Sequence, residues 1–556
     1  MLTQRRPEVA VPLKNYSNRY AFATGMILLL GIGLRLFHYA NNRSLWTDEI
    51  YLNAGIVDFS FAQLLSQPLP YLQKAPVGYL LLSHLCVVLL GKTELALRLY
   101  PLLSGIGALF LLRPVARHFL KPFGALVALA LLALGTPLLY HAVEAKPYGP
   151  DLCVTLALLW LYIRYGARSD WPALLRWGLG GSLAVWLSYP SIFVLAGLAL
   201  AAGLPPLLHG NWARVGRVAL PASLWLLSFA LSYFLFTKEG SDAGWLVFFF
   251  YKFDAYFPLQ PVSAGPWLLK KLAIFFHYPL GLTWYEDQAE RSNLARFVLR
   301  LTLVPVLLSG LGVLYFWRTH KAYLGVTGSV LLLALLASSL RLYPFHERMI
   351  VYLAPFAILL LAGGCDYLRT RAARPLRYAG YGLTLLLLLG LAKNALVTAR
   401  TPYLLPGYKM SYYRPALQYV AQHARPGDGV YVYWNAAAGY TYYTRTLGLP
   451  LRAVVDPDYR YTVDTYAAYY AKVDADLRSA AKARRVWVLY SGVDMNQGDY
   501  GGQPAWYYQG HDFREGYGVQ QYARHLQQLG RVLERYVPAD GNPNPDVKVQ
   551  LLELNN

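Results

Sequence analysis

Apolar runs of roughly 17 to 22 residues recur between Tyr20 and Ala399, separated by short basic links; that length carries a helix across about 30 Å of hydrocarbon. The pattern predicts spans at 20–38, 98–116, 123–140, 149–165, 174–189, 191–208, 218–236, 296–316, 322–340, 348–368 and 377–398. A further run, Val77–Leu90, is short, carries Ser83 and His84 and follows Lys74-Ala75-Pro76. The positive-inside rule decides how to read it. If it lies on or dips into the membrane surface, the links Arg113/Arg117/Lys121, Arg164/Arg168/Arg176, Arg214/Arg217, Arg318/Lys321 and Arg369/Arg371/Arg374/Arg377 all share the side of the basic N-terminal tail. If it spans, every link moves to the other face. It is therefore read as juxtamembrane or re-entrant, which leaves about eleven spans. The tail, with Arg5, Arg6, Lys14 and Arg19 and no small-residue cleavage site, reads as leading into a retained first helix.

This parity gathers the loops 39–97, 141–148, 238–293 and 341–348 on one outer face, together with everything after Arg400. In the long loop, Trp245-Leu-Val-Phe-Phe-Phe-Tyr251 and Trp267-Leu-Leu-Lys-Lys-Leu-Ala-Ile-Phe-Phe276 are too short or too charged to cross and read as aromatic interfacial segments. Beyond Arg400 the chain turns rich in Tyr, Asp, Arg and Gly, with a Pro/Gly linker at 401–407. A helix at 412–423, a strand at 430–434, a helix at 464–484, a strand at 486–490, a helix at 519–530 and a strand at 547–552 predict a small α/β layer fold. The expected organisation is a mainly α, polytopic membrane domain over 1–400 and a soluble, extracytoplasmic α/β domain over 401–556.

Composition agrees. Of 556 residues 56% are apolar and 15% charged, where a soluble protein carries about a quarter charged. The net charge of +21 sits in the links between spans, an orientation signal rather than a nucleic-acid patch. Cys86, Cys153 and Cys365 all lie in apolar segments, so neither a disulfide nor a metal framework is encoded. Gly91-Lys92-Thr93 lacks the upstream glycine of a phosphate-binding loop, and no His-Glu-x-x-His, nucleophile elbow or Cys/His cluster occurs.

The densest chemistry directly follows the first span, in Arg43-Ser-Leu-Trp46-Thr-Asp48-Glu49-Ile-Tyr51. Adjacent helical residues point about 100° apart, so Asp48 and Glu49 do not share a proton; one faces a cavity and the other is held. A carboxylate partly desolvated by Trp46 and Tyr51 has the basicity to deprotonate a hydroxyl. The bland alternative is that Asp48 caps an amphipathic helix over 49–65. A second cluster, Tyr140-His141-Ala-Val-Glu144-Ala-Lys146-Pro-Tyr148, stands at a helix mouth on the same face; its bland reading is a Glu144/Lys146 surface pair. Third, Arg341-Leu-Tyr-Pro-Phe-His346-Glu347-Arg348 offers guanidinium groups that suit a phosphate, and Lys74 is a fourth candidate cation; head-group anchoring is the alternative for both. Asp456-Pro-Asp458 and Asp474-Ala-Asp476 have the form of divalent-cation ligands but read as structural, and no metal ligand is assigned.

Taken together, Arg43-x-x-Trp46-x-Asp48-Glu49, Lys74-x-Pro76, Glu144-x-Lys146-Pro-Tyr148 and Glu347-Arg348 ahead of Pro355 resemble the lipid-linked glycosyltransferases of the GT-C superfamily over residues 20–400. The likeness is to glycosyltransferase family 39, which includes protein O-mannosyltransferases and the aminoarabinose transferase of lipid A. The chain departs from that pattern at Lys146, where Arg is common, and at Ala75-Pro76, where two prolines are common. The resemblance implies inverting transfer of a sugar from a polyprenyl-phosphate donor to a hydroxyl on a lipid, glycan or protein, at the outer face of a bacterial inner membrane. It makes Asp48 the base, Glu49 a supporting acid, and Lys74, Lys146 and Arg348 the phosphate contacts, with no soluble cofactor required and a divalent cation unsupported. Two other classes stay open: a lipid-linked sugar flippase, which would place ionisable groups mid-span, and a glycan polymerase or ligase of different fold.

Overall fold

The structure is a computed structural model and describes residues 18–238, 244–282, 303–404, 408–481, 484–494, 499 and 504–555. The tail 1–17, the opening of the expected 296–316 span and residues 405–407 of the expected linker lie outside the described residues.

Eleven described helices match the predicted spans: Asn18–Ala40, Glu94–Phe119, Pro122–Leu134, Tyr148–Tyr165, Trp171–Leu187, Ser191–Leu208, Trp212–Ser232, Leu303–Thr319, Lys321–Ser339, Ala354–Arg369 and Arg374–Arg400. Seven described helical segments are long and apolar enough to cross a membrane by length and composition. The protein is a multi-pass membrane protein. The predicted 123–140 span is two helices, because Pro137 has no amide proton to continue the ladder. The Leu132 carbonyl near that break accepts instead from Arg35 (3.0 Å).

Several basic turns meet at one end of the bundle. His118 packs on His320 (ring centroids 6.0 Å), Asp366 accepts from the Lys121 amide (2.8 Å), and Arg318 lies over Tyr367 (5.5 Å). Both ends of helix Val77–Leu90 emerge at the opposite end. Just before it, the Ala75 carbonyl accepts from Tyr189 in the corner between helices 171–187 and 191–208 (2.9 Å). Just after it, Glu94 pairs with Arg414 (3.1 Å) and accepts from Tyr443 (3.2 Å). A segment that starts and finishes on one side does not cross.

At that same end lies a five-stranded sheet of order β2-β1-β3-β5-β4, in which β1 (Gly429–Val432), β2 (Val454–Val455) and β3 (Arg485–Ser491) are parallel and β5 (Val547–Leu554) runs antiparallel to both its neighbours, β3 and β4 (Gly530–Arg535). Alternation along the strands builds two cores. Val430, Val432, Trp487 and Leu489 pack with helices Tyr413–His423 and Ala437–Leu447. Tyr431, Val486, Val488 and Tyr490 pack with helices Tyr466–Ala480 and Tyr517–Leu529. The helix 437–447 and strands β2 and β4 were not expected; its Ala-Ala-Gly-Tyr-Thr-Tyr-Tyr-Thr sequence favours extended structure until packing overrides it. The first core also takes in Leu45, Ile50, Ile56, Tyr79 and Leu97, so the sheet layer and the segment after the first span share one apolar interior.

Candidate active site

The chain leaves the first span and enters a short helix, Thr47–Asp58, with Trp46 ahead of it. The expected helix over 49–65 ends at Asp58 and restarts at Phe61, where Ser60 caps Gln63 (3.3 Å). Asp48 is inside the first turn and is not its cap. Glu49 is fully buried and all its acceptor capacity is used. Arg98 reaches both oxygens (3.2 and 3.0 Å), the Ala145 amide donates to Oε1 (2.7 Å), the Trp46 amide to Oε2 (3.2 Å), and Arg43 stands 3.5 Å away. A buried carboxylate is tolerable only when paired in this way. Glu49 thereby fastens three segments that are distant in sequence.

With Glu49 pinned inward, Asp48 faces a different direction. Its carboxylate pairs with Arg348 Nη2 at 2.7 Å, with 28% of the Asp48 side chain and 19% of the Arg348 side chain exposed. The Arg348 guanidinium also lies over the Trp46 ring (5.3 Å), and its buried Nε has no hydrogen-bond partner among the described residues. One cation thus holds the carboxylate while keeping a donor unspent.

Behind Trp46 stands Glu144, which accepts from Trp46 Nε1 (3.1 Å) and Tyr140 (3.1 Å) and pairs with His141 Nδ1 (2.7 Å). His141 Nε2 meets the Tyr278 hydroxyl at 2.5 Å. Burial by itself would raise the Glu144 carboxyl, but His141, Arg348 and Arg43 outweigh it and hold the group below the usual carboxylate range. Glu144 and Lys146 are therefore not the simple surface pair of the bland reading. Lys146 turns away to Gln73 Oε1 (2.9 Å) and is 5% exposed. Burial pulls its ammonium down to about 8, with Arg348 adding to the fall and Asp48 opposing it.

The other predicted residues take distinct places. Arg43 is buried, donates to the carbonyls of Val143 (2.9 Å) and Lys409 (3.2 Å), and lies over the Tyr140 ring (4.7 Å). Tyr148 packs edge-on to His141 (5.4 Å). Lys74 donates to the Thr237 carbonyl (3.1 Å) and reaches the cluster through its neighbour Gln73. His346 packs on Phe253 (5.4 Å) with Glu347 3.7 Å from its Nε2, at the rim. Burial pushes the His346 imidazole down to about 4. Sequence reasoning passed over Arg98, Gln73 and Tyr278. Arg98 carried the plainest signal, an arginine one turn after Glu94 in an apolar span. In the C-terminal layer, Asp456 accepts from Tyr431 (3.2 Å) and the Asp458 amide (2.9 Å), Asp458 pairs with Arg460 (2.7 Å), Asp474 with His525 (2.7 Å), and Asp476 accepts from Tyr459 (2.6 Å).

No family model and no curated protein matches the sequence. Among solved structures, ArnT from Cupriavidus metallidurans bound to undecaprenyl phosphate matches with a TM-score of 0.50 at 13% identity, covering 96% of this chain and 98% of that chain. The chain has the ArnT fold. The apo form of that protein matches with a TM-score of 0.49 at the same identity and coverage. The arabinofuranosyltransferase AftD from Mycobacteria gives 0.34 at 17% identity, covering 97% of this chain and 42% of that one. The ArnT likeness runs nearly end to end in both chains, so it takes in the C-terminal layer as well as the bundle. That fold is reached here with few shared residues.

Proposed function

We propose that this protein is a membrane glycosyltransferase that moves a sugar from a polyprenyl-phosphate donor to a hydroxyl acceptor, with inversion, on the face of the membrane that carries the C-terminal layer. In a bacterial cell this is the outer face of the inner membrane. The observation that carries the reading is the Asp48–Arg348 pair (2.7 Å) with its unspent Arg348 Nε, set beside buried Lys146 at a helix mouth. In this reading Asp48 is the base and Arg348 and Lys146 are the phosphate-binding cations; ArnT, whose fold the chain has, is a protein seen with undecaprenyl phosphate bound.

In the proposed step Asp48 takes the proton of the acceptor hydroxyl as that oxygen bonds to the anomeric carbon, opposite the phosphate. The bond from the carbon to the phosphate oxygen breaks and its electron pair departs on the phosphate. Arg348 Nε and Lys146 meet the added negative charge, and preorganised donors do so without reorganisation in a water-poor site. Glu49 does not react; it fixes the turn that carries Asp48. Donor energy resides in the sugar–phosphate bond, consistent with the missing phosphate-binding loop.

Asp48→Asn tests the assignment. Transfer measured in reconstituted vesicles is expected to fall by about 10²- to 10⁴-fold, while binding of undecaprenyl phosphate by the detergent-solubilised protein persists. Undiminished transfer removes Asp48 as the base.

A further inference from the structure

The transfer step draws on Lys146 but leaves aside the side chain that holds it. Gln73 Oε1 accepts from the Lys146 ammonium at 2.9 Å, and the turn that carries Gln73 is strained. Just before it, Tyr71 and Leu72 both adopt left-handed backbone (φ 56° and 51°), where a Cβ crowds the chain. Burial does not offset that strain, since Tyr71 is 37% and Leu72 55% exposed. Residues held this way persist only where the surroundings over-determine them, and they cluster at ligand clamps and active sites.

One helix, Thr47–Asp58, sets both partners. Glu49 accepts from the Ala145 amide (2.7 Å) and Asn53 donates to the Ala145 carbonyl (2.9 Å), which fixes the chain directly ahead of Lys146. Further along, Gly55 lets the strained turn come close: a Cβ there would stand 2.8 Å from Leu69 Cδ2 and 3.0 Å from Pro70 Cδ. Tyr51 stacks on Tyr71 (4.7 Å) and completes the seat. The helix that carries Asp48 thus presents Gln73 and Lys146 to each other. The charged groups facing Lys146 are Asp48 and Glu49 from that helix, Glu144 from its own loop and Arg348 from the 3₁₀ turns Glu347–Leu353. Each acid is already matched: Asp48 with Arg348 (2.7 Å), Glu49 with Arg98 (3.0 Å) and Glu144 with His141 (2.7 Å). The direct partner of the ammonium is instead a neutral amide, which takes only one of its three hydrogens. A carboxylate in that place would cancel the charge and repel a phosphate.

We propose that Gln73 is a positioning residue, held by the strained turn against the Asp48 helix, that aims the Lys146 ammonium at the donor phosphate and leaves its charge whole. The assignment rests on the donor reading given above.

The test follows undecaprenyl phosphate affinity against pH for the full-length wild type, Gln73→Glu and Gln73→Leu in detergent, each variant checked for an unchanged melting temperature. Wild-type affinity is expected to break near pH 8, where Lys146 gives up its proton. Gln73→Glu sets a carboxylate beside the ammonium, which then keeps its proton to higher pH. Its break is expected to move up by about 1 unit or more, while affinity at pH 7 falls by about 10- to 100-fold. Gln73→Leu removes the acceptor from a buried ammonium, and its break is expected to move down by about 1 unit. In a Lys146→Arg background both shifts are expected to vanish, because a guanidinium does not titrate in this range. Gln73→Leu stands alone if Gln73→Glu does not fold. A merely structural turn would lower affinity without moving the break. The inference is therefore overturned if the variants keep the wild-type break, if both move it the same way, or if wild type binds with no break near pH 8; the donor reading survives each of these results. Wild type that does not bind undecaprenyl phosphate at all overturns the donor reading, and this inference with it.

Discussion

Asp48 and Glu49 are adjacent in sequence and opposite in circumstance. Their adjacency on a helix was legible from the sequence, as was the consequence that only one faces a cavity. Which one is held depends on Arg98, Arg43 and the Ala145 amide, and no local pattern announces those partners. Substitution separates the two roles. Glu49→Gln leaves two buried guanidinium groups without their counter-charge and is expected to cost about 3 to 5 kcal/mol, read as a lowered melting temperature. Asp48→Asn, at a partly exposed pair, is expected to shift stability by less than about 1 kcal/mol while removing transfer. Lys146 adds a pH signature. Burial brings its ammonium from 10.5 to about 8, so the charged form dominates below that pH and is lost above it. Affinity for undecaprenyl phosphate, measured from pH 7 to 9.5, is expected to weaken through pH 8. Lys146→Arg keeps its charge throughout and is expected to flatten the profile.

At the scale of elements, the helix 47–58 is held from above by the C-terminal layer. The Tyr443 hydroxyl accepts from the Leu45 amide (2.6 Å) and donates to Glu94 (3.2 Å), while Arg414 pairs with Glu94 (3.1 Å) and donates to the Asn42 carbonyl. The layer thus positions the loop that carries Asp48, a role separate from any contact with an acceptor. Tyr443→Phe removes a buried hydroxyl from two partners, at about 1 to 3 kcal/mol. It is expected to lower kcat for transfer with little change in KM for the donor, because Arg348 and Lys146 are carried by other segments of the chain. An unchanged kcat with altered acceptor preference would assign the layer to recognition instead. Sequence reasoning placed helices at 412–423 and 519–530, where the structure has Tyr413–His423 and Tyr517–Leu529. It missed the helix 437–447, which carries Tyr443, because propensity spoke for a strand and only the shared core with Leu45 and Ile50 makes it helical.

For the whole molecule, the contacts at the two ends of the bundle make a topological prediction. Cysteines introduced at Lys92 and Asn544, both exposed at the end with the sheet layer, are expected to react with an impermeant maleimide from one side of the membrane. Cysteines at Lys121 and Arg214 are expected to react only from the other side. Labelling of Lys92→Cys and Lys121→Cys from the same side would mean that helix 94–119 does not cross. The chain by itself determined the bundle, because unsatisfied backbone polar groups are so costly in hydrocarbon that a long apolar run has to be a helix, and the placement of basic links orders the ends. It also determined where ionisable side chains leave the membrane. Only the tertiary structure decided which of them meet: Asp48 with Arg348, Glu49 with Arg98, Trp46 with Glu144. Those pairings join segments far apart in the chain, and their free energy comes from the desolvated space that packing encloses, which no window of sequence contains.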